Sequence, residues 1–202
     1  MHGITFSPAF PHKPPSLPPP LSLPPPSPSP TPPPSLSPCS ANPPGALPIL
    51  VNCPAVLDLS NNGLQGELTA AMMAPCVDAA PLTDLDLSSN KFSGPIPTAL
   101  TQLLFLHRLN LSRNAFSDSI PRGFTALAAL RDLDLSQNRL EGTLSPDLGN
   151  NLALKTVALG GNGLSGQIPH WLSKFPVESF RPDNWQLCDP PLPACVPAVA
   201  MM

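Results

Sequence analysis

A short pattern recurs five times between residues 57 and 169 of this chain. Each copy starts with an apolar-x-Leu step and reaches an asparagine three residues later. The copies are LDLSNNGLQGEL from Leu57, LDLSSNKFSGPIP from Leu85, LNLSRNAFSDSIP from Leu109, LDLSQNRLEGTLS from Leu133 and VALGGNGLSGQIP from Val157. Their asparagines are 28 residues apart once and then 24 residues apart three times. A period of this length predicts stacked structural units that share one continuous core.

Each position of the pattern has a physical role. The two apolar residues of the first step alternate at period two, so both point inward from a short strand, and stacking makes the strands parallel. The asparagines form a predicted ladder whose amides satisfy backbone groups where the chain turns: Asn62, Asn90, Asn114, Asn138 and Asn162. Glycine follows in four copies, at Gly66, Gly94, Gly142 and Gly166, and Asp118 replaces it in the third. Glycine there permits backbone angles that other residues resist.

The combined pattern, L-x-x-L-x-L-x-x-N-x-L-x-G-x-I-P, resembles the plant-type leucine-rich repeat over about residues 54 to 176. The resemblance implies an α/β-class solenoid: a short right-handed superhelix with a parallel concave sheet and a second short strand at the G-x-I-P step. We therefore assign residues 47–176 to five repeats with an atypical N-terminal cap. The stretch SFRPDNWQLCDPPLPAC resembles the family's C-terminal cap, although Pro182 and Asp189 stand where glycine is usual, and residues 177–202 are assigned to cap and tail.

Proline dominates the N-terminal segment. The chain has 33 prolines, of which 19 fall in residues 1–48. Runs such as PSLPPPLSLPPPSPSPTPPPSLSP cannot build a core and favour extended polyproline II. Residues 1–46 are predicted to be a disordered or semi-rigid spacer. The segment shows neither the basic start nor the apolar run of a secretory signal, and no window of the chain is apolar enough to span a membrane.

Five cysteines leave at least one unpaired. In the predicted cap, Cys188 and Cys195 flank the DPPLPA turn and are expected to form a disulfide in an oxidising compartment. The N-terminal pairing is open. The family usually has a closely spaced pair around a tryptophan, whereas Cys39 and Cys53 have none between them, so Cys53 pairs with either Cys39 or Cys76.

The sequence contains no convincing catalytic or cofactor motif. The stretch LHRLNLSRN has the histidine, arginine and asparagine spacing of a protein-kinase catalytic loop, but Leu109 stands where that loop needs a carboxylate. The four histidines lie far apart in sequence, so they predict no metal site. We expect a protein that is not an enzyme and has no cofactor and no metal.

The outward positions of the repeats predict charged columns, because residues one period apart lie side by side on neighbouring strands. His107, Arg131 and Lys155 form a basic column, and Asp84, Arg108 and Asp132 alternate in sign. Asp86, Asn110 and Asp134 belong to a largely acidic column. One interpretation is a solvated face whose exposed ion pairs contribute little. The other is a concave binding surface: His107, Arg108, Arg131, Lys155, Asp84, Asp86, Asp132 and Asp134.

Asn110, Leu111 and Ser112 form the chain's one N-x-S/T sequon with x other than proline. If the chain is secreted, we expect an N-linked glycan at Asn110, in the middle of the concave face.

The sequence thus predicts a non-catalytic recognition module, resembling ectodomains of plant receptor-like kinases, receptor-like proteins and polygalacturonase-inhibiting proteins. Its expected partner is a protein or peptide, or an acidic polysaccharide, gripped by basic side chains. The near-neutral charge predicts no nucleic-acid binding. The resemblance implies an extracellular, cell-wall or plasma-membrane-associated protein, with membrane association through a partner receptor. The alternatives are an inhibitor of a cell-wall polysaccharide hydrolase, a structural cell-wall protein anchored by its spacer, and a truncated gene product.

Overall fold

A computed structural model describes residues 53–78, 81–146 and 153–195 of the chain. The predicted spacer at residues 1–46, together with Cys39, lies outside the described residues. In chain order the strands are β1 (Val56–Asp58), β2 (Gln65–Glu67), β3 (Asp84–Asp86), β4 (Lys91–Pro95), β5 (Arg108–Asn110), β6 (Ala115–Ser117), β7 (Asp132–Asp134), β8 (Glu141–Thr143), β9 (Thr156–Ala158), β10 (Gly163–Gln167) and β11 (Gln186–Cys188).

The main sheet contains one strand from each repeat. Its order is β1-β3-β5-β7-β9, and every pair is parallel. The inward leucines are in register, with Leu85 opposite Leu109 and Leu109 opposite Leu133, and all three are buried. The predicted α/β-class leucine-rich repeat solenoid is therefore confirmed for the described residues, because the period of the sequence is the period of the strands.

The G-x-I-P steps form shorter parallel ladders on the far side of each turn. β2, β4 and β6 make one three-stranded sheet, and β8, β10 and β11 make another. Gly94 in β4 has a φ of 77°, and Asp118, which replaces glycine just after β6, has a φ of 64°. Arg139 N donates to Phe116 O at 2.8 Å, and Glu141 N donates to Asp118 O at 2.9 Å, so hydrogen bonds still cross between the two sheets.

The described segments that follow the second short strands are helical. Within residues 53–78, 81–146 and 153–195, three repeats use five-residue 3₁₀ turns, at Thr98–Gln102, Arg122–Ala126 and His170–Lys174. The first repeat, which is four residues longer, instead forms helix α1 (Ala70–Asp78) around Pro75. The longer spacing therefore appears in the fold as a second full helical turn.

The core is a stack of apolar layers, one per repeat. Phe92 and Phe116 from adjacent repeats stack with ring centroids 6.0 Å apart, and both are at most 1% exposed. Burying a leucine or phenylalanine of this kind stabilises by about 1.5 to 3 kcal/mol relative to leaving it exposed. Since each layer needs the next to exclude water, the repeats are stable only as an array.

Disulfides lie at both ends of the described solenoid. Cys53 bonds to Cys76, with Cα atoms 4.8 Å apart, which attaches α1 to the chain entering β1. Cys188 bonds to Cys195, with Cα atoms 4.9 Å apart, which closes the turn after β11. Of the two N-terminal pairings left open by the sequence, the structure contains the one between Cys53 and Cys76.

Candidate functional site

The asparagine ladder connects each repeat to the one before it. The Oδ1 atom of Asn162 accepts from Leu140 N at 3.0 Å, and its Nδ2 atom donates to Leu135 O and Leu159 O. Equivalent bonds are made by Asn90, Asn114 and Asn138. In each case the amide satisfies backbone groups of two consecutive repeats. These four ladder asparagines therefore have a structural role and are not available to a ligand.

The ladder continues into the C-terminal cap. Asn184 is fully buried, accepts from Leu164 N at 3.0 Å and donates to Leu159 O at 2.8 Å. The sequence comparison matched Asn184 to the cap without assigning it to the ladder. The missed signal is a spacing of 22 residues from Asn162, two fewer than the repeat period. The cap also packs closely against residue 160, which explains why this residue is glycine: a Cβ atom there would lie 2.0 Å from Arg181 O.

An arginine between two aspartates occupies the centre of the concave face. Arg108 Nε lies 3.9 Å from Asp84 Oδ1 and 3.8 Å from Asp132 Oδ2. Asp84 also accepts from Thr83 Oγ1 at 2.8 Å, and Asp132 accepts from Thr156 Oγ1 at 2.6 Å. Because the Arg108 side chain is 62% exposed, these ion pairs are solvated and contribute little to stability. They do hold three charged groups in a defined row across β3, β5 and β7.

The neighbouring column on the same face contains Asp86, Asn110 and Asp134, whose side chains accept hydrogen bonds from nearby backbone. Asp86 Oδ1 accepts from Ser88 N at 2.8 Å, and Asp134 Oδ1 accepts from both Ser136 N and Ser136 Oγ. Asn110 makes the same bonds to Ser112. These side chains form turns that end the strands, which is a local role that Asp and Asn perform well.

A shallow depression with a volume of about 290 Å³ lies over β5, β7 and β9. Four polar side chains from the two columns line it on β5 and β7, and small residues line it on β9. These lining residues are Arg108, Asn110, Asp132, Asp134, Thr156 and Ala158. The narrow side chains of β9 open the space beside Asp132 and Asp134. The depression can admit one side chain of a partner, and it presents both charge signs.

The predicted basic column lies beside the depression and not in it. His107, Arg131 and Lys155 each come one residue before a strand, where Arg131 N donates to His107 O and Lys155 N donates to Arg131 O, both at 2.8 Å. None of the three lines the depression. The eight predicted concave residues therefore form two groups. Five belong to the strands and the other three lie at the N-terminal ends of strands, and the register brings each group together across repeats.

The sequon asparagine has an occupied amide. Asn110 is half-buried, and its Nδ2 atom donates to Asp86 Oδ2 at 3.0 Å. Since an N-linked glycan is attached at this nitrogen, glycosylation would leave it a single N–H for that bond and would place a sugar over the depression. The modification at Asn110 stays a prediction.

Two absences apply to the described part of the chain. No group of three or more histidine, cysteine, aspartate or glutamate side chains is arranged to hold a metal ion among residues 53–78, 81–146 and 153–195. Within the same residues, no helix has the length and apolar character needed to cross a membrane.

Comparison with known proteins gives a consistent set of relatives. Leucine-rich repeat family models match residues 80–140 and 153–175. A chain of the BIR3–SERK2 complex from Arabidopsis thaliana is 36% identical with a TM-score of 0.63, and the alignment covers 69% of this chain and 72% of that one. The BIR2 ectodomain from the same plant is 35% identical with a TM-score of 0.64, with coverage of 69% and 72%.

A third structure is larger than this chain. It is the Arabidopsis receptor kinase HAESA in complex with the peptide hormone IDA and the co-receptor SERK1, with 34% identity and a TM-score of 0.63. The alignment covers 71% of this chain and 24% of that one. No curated protein sequence matches the chain.

The fold, the asparagine ladder and these similarities agree. The chain belongs to the plant-type leucine-rich repeat family. Its fold is that of receptor-kinase ectodomains, which are recognition modules lying outside the cell, and its two disulfides suit an oxidising compartment.

Proposed function

We propose that this chain is a non-catalytic recognition module that binds a protein or peptide on its concave sheet, centred on the depression beside Arg108. The observation that carries the proposal is the row of Asp84, Arg108 and Asp132 next to that depression. The core leucines point the other way, so these side chains are free of packing duties. They can therefore serve recognition without a cost in stability.

The chemistry of the row suits a peptide. The guanidinium of Arg108 offers several donors in a fixed plane, which suits a carboxylate or a backbone carbonyl of a partner. The flanking aspartates accept from backbone amides or cationic side chains. An extended segment lying across the strands would meet donors and acceptors in alternation. This favours a peptide or protein over a polysaccharide with acidic groups alone.

The similar structures provide independent support for this proposal. Two of the similar structures are complexes, one of BIR3 with SERK2 and one of HAESA with a peptide hormone and SERK1. By analogy we propose an extracellular location and a role in receptor signalling or defence, with membrane association through a partner receptor. Such a module works without a cofactor or a catalytic residue.

Selection from a random peptide library displayed on phage tests the proposal. The secreted full chain is immobilised, and enriched peptides are synthesised and titrated against the parent and the Arg108→Ala variant. Losing a charge-assisted hydrogen bond should weaken binding by about 1.5 to 3 kcal/mol, or roughly tenfold or more. The change removes a solvated side chain, so the melting temperature should hardly move.

Arg122→Ala is the matched control, because Arg122 is an exposed arginine in the 3₁₀ turn on the opposite side of the repeat. It removes the same charge and should leave affinity unchanged. If every enriched peptide binds the Arg108→Ala variant as tightly as the parent, recognition does not use the depression and the proposal is wrong.

A further inference from the structure

The second repeat exposes two large apolar side chains in the loop that leads to the third. Leu104 is 55% exposed and Phe105 is 64% exposed, and they are consecutive in the loop between a 3₁₀ turn and strand β5. Their positions in the third repeat are taken by Ala128 and Ala129, one period later. The loop geometry is the same in both repeats, because Leu104 N donates to Gln102 O and Ala128 N donates to Ala126 O. The loop therefore does not require the large residues.

These side chains come shortly before His107 of the basic column, at the border where the chain enters the main sheet. We call this border the entry edge: Leu104, Phe105, His107, Ala128, Ala129, Arg131 and Lys155. Phe105 is two residues from His107, and backbone hydrogen bonds link His107 to Arg131 and Arg131 to Lys155. Neighbouring strands are about 4.8 Å apart, so the cations lie side by side, and the exposed apolar pair precedes the first of them by two and three residues.

The cations of the entry edge form no direct ion pair within the described structure. Asp84 and Asp132 both pair with Arg108, so that row carries a formal excess of one negative charge. By contrast, no described carboxylate forms an ion pair with His107, Arg131 or Lys155. Stacking like charges on neighbouring strands is unfavourable for stability. The entry edge therefore offers an anionic partner cations that are not already paired and that are distinct from Arg108.

We propose that the entry edge is a docking surface for an acidic segment of a partner protein that also presents a large apolar side chain. Phe105 and Leu104 supply the apolar contact, and Ala128 and Ala129 leave room beside them for the partner's side chain. Arg131 and Lys155 then meet the acidic residues. Aromatic anchors surrounded by polar groups are typical of the residues that contribute most to protein interfaces. Charge complementarity of this kind raises association rates and sets the orientation of the partner.

The test uses the full chain and a random peptide library displayed on phage. Enriched peptides are titrated against the parent, a Leu104→Ala/Phe105→Ala variant and an Arg131→Ala/Lys155→Ala variant. The first variant gives the loop the alanines that the third repeat already has, so folding should be preserved, and circular dichroism checks this. We expect a family of peptides with Asp or Glu next to a large apolar residue. Each double variant should bind these peptides at least about tenfold more weakly.

Two controls separate this surface from the concave one. An Arg122→Ala/Arg139→Ala variant removes two exposed arginines elsewhere and should retain parent affinity. Arg108→Ala should not affect the entry-edge peptides, so the two proposals can fail independently. Raising the salt concentration should weaken binding to the parent, because the pairs are solvent-exposed.

Several outcomes would overturn the docking surface. One is the enrichment of no acidic peptide, and another is parent-like binding by the Leu104→Ala/Phe105→Ala variant. A polygalacturonate probe supplies a third. If it binds the parent, is lost with Arg131→Ala/Lys155→Ala and is unaffected by Leu104→Ala/Phe105→Ala, the basic residues serve a polysaccharide and not a protein.

Discussion

Two sets of polar side chains repeat with the same period in this molecule, but one set is buried in the turns and the other lies on the open sheet. The asparagine ladder is inside the turns, where Asn162 is 6% exposed and spans two repeats with three hydrogen bonds. The row of Asp84, Arg108 and Asp132 is on the open sheet, where its charges pair only with one another and with hydroxyls. Periodicity alone therefore does not tell whether a repeated polar residue has a structural or a functional role. The two sets differ in their hydrogen-bond partners: the ladder asparagines bond to backbone, whereas the row on the sheet bonds to side chains.

The Asp86, Asn110 and Asp134 column is intermediate. These side chains face the open sheet, yet their oxygen atoms accept from the backbone two residues ahead. The molecule thus contains a graded series: buried side chains bonded to backbone, half-buried side chains bonded to backbone, and the exposed Arg108 bonded to side chains. Stability measurements on one residue from each class should reproduce this order.

The largest effect is expected for Asn162→Ala. The change leaves Leu140 N, Leu135 O and Leu159 O without their partner. An unsatisfied buried polar group costs about 1 to 3 kcal/mol, and with partial access of water we expect the free energy of unfolding to fall by about 2 to 4 kcal/mol. Urea denaturation monitored by circular dichroism measures it. Asn62→Ala is the matched control, since the described bond of the Asn62 side chain is one contact to Ser60 O, and its loss should be much smaller. Equal losses would contradict the comparison.

A middle effect is expected for Asp134→Ala. It removes the bonds to Ser136 N and Ser136 Oγ at a half-buried site. We expect a loss of about 0.5 to 1.5 kcal/mol in the free energy of unfolding, the usual net value of such a hydrogen bond. Asp134→Asn keeps an acceptor oxygen and should restore most of the stability. A loss as large as that of Asn162→Ala would show that the column is part of the core architecture.

The smallest effect is expected for Arg108→Ala. Its ion pairs are exposed and near the limit of contact distance, so the free energy of unfolding should change by less than about 1 kcal/mol. The same denaturation experiment, repeated at high salt, measures the change. A clearly larger loss that disappears in salt would mean that the row stabilises the sheet, and the distinction between the two sets of side chains would be wrong.

The repeat period was sufficient to predict the main sheet, its register and its buried leucines. Leu85, Leu109 and Leu133 pair as the 24-residue spacing requires. This succeeds because a strand alternates its side chains strictly, so one inward leucine determines its neighbours. Helix α1 was not predicted, since the four additional residues break the period and leave no pattern to extend. Pro75 inside it also argues against a helix on propensity alone.

The candidate site was predicted only in outline. The sequence identified the charged columns, but it treated His107, Arg131 and Lys155 as equivalent to Arg108. The residue that precedes a strand does not follow the alternation of the strand, so the period could not assign these three to the entry edge. Ion pairing between Arg108 and its neighbours depends on side-chain rotamers, which a repeat pattern does not contain. The exposure of Leu104 and Phe105 likewise required the loop geometry.

The direction of the asparagine bonds has a consequence for how such a protein can change in length. Each repeat relies on the asparagine of the repeat that follows it, and Asn184 in the cap does this for the last one. A duplicated unit of 24 residues inserted before the cap would both receive and supply these bonds, so the array could grow by gene duplication without redesign of either end. Deletion of the cap would instead leave the final repeat incomplete, and unravelling should then spread backwards from that end.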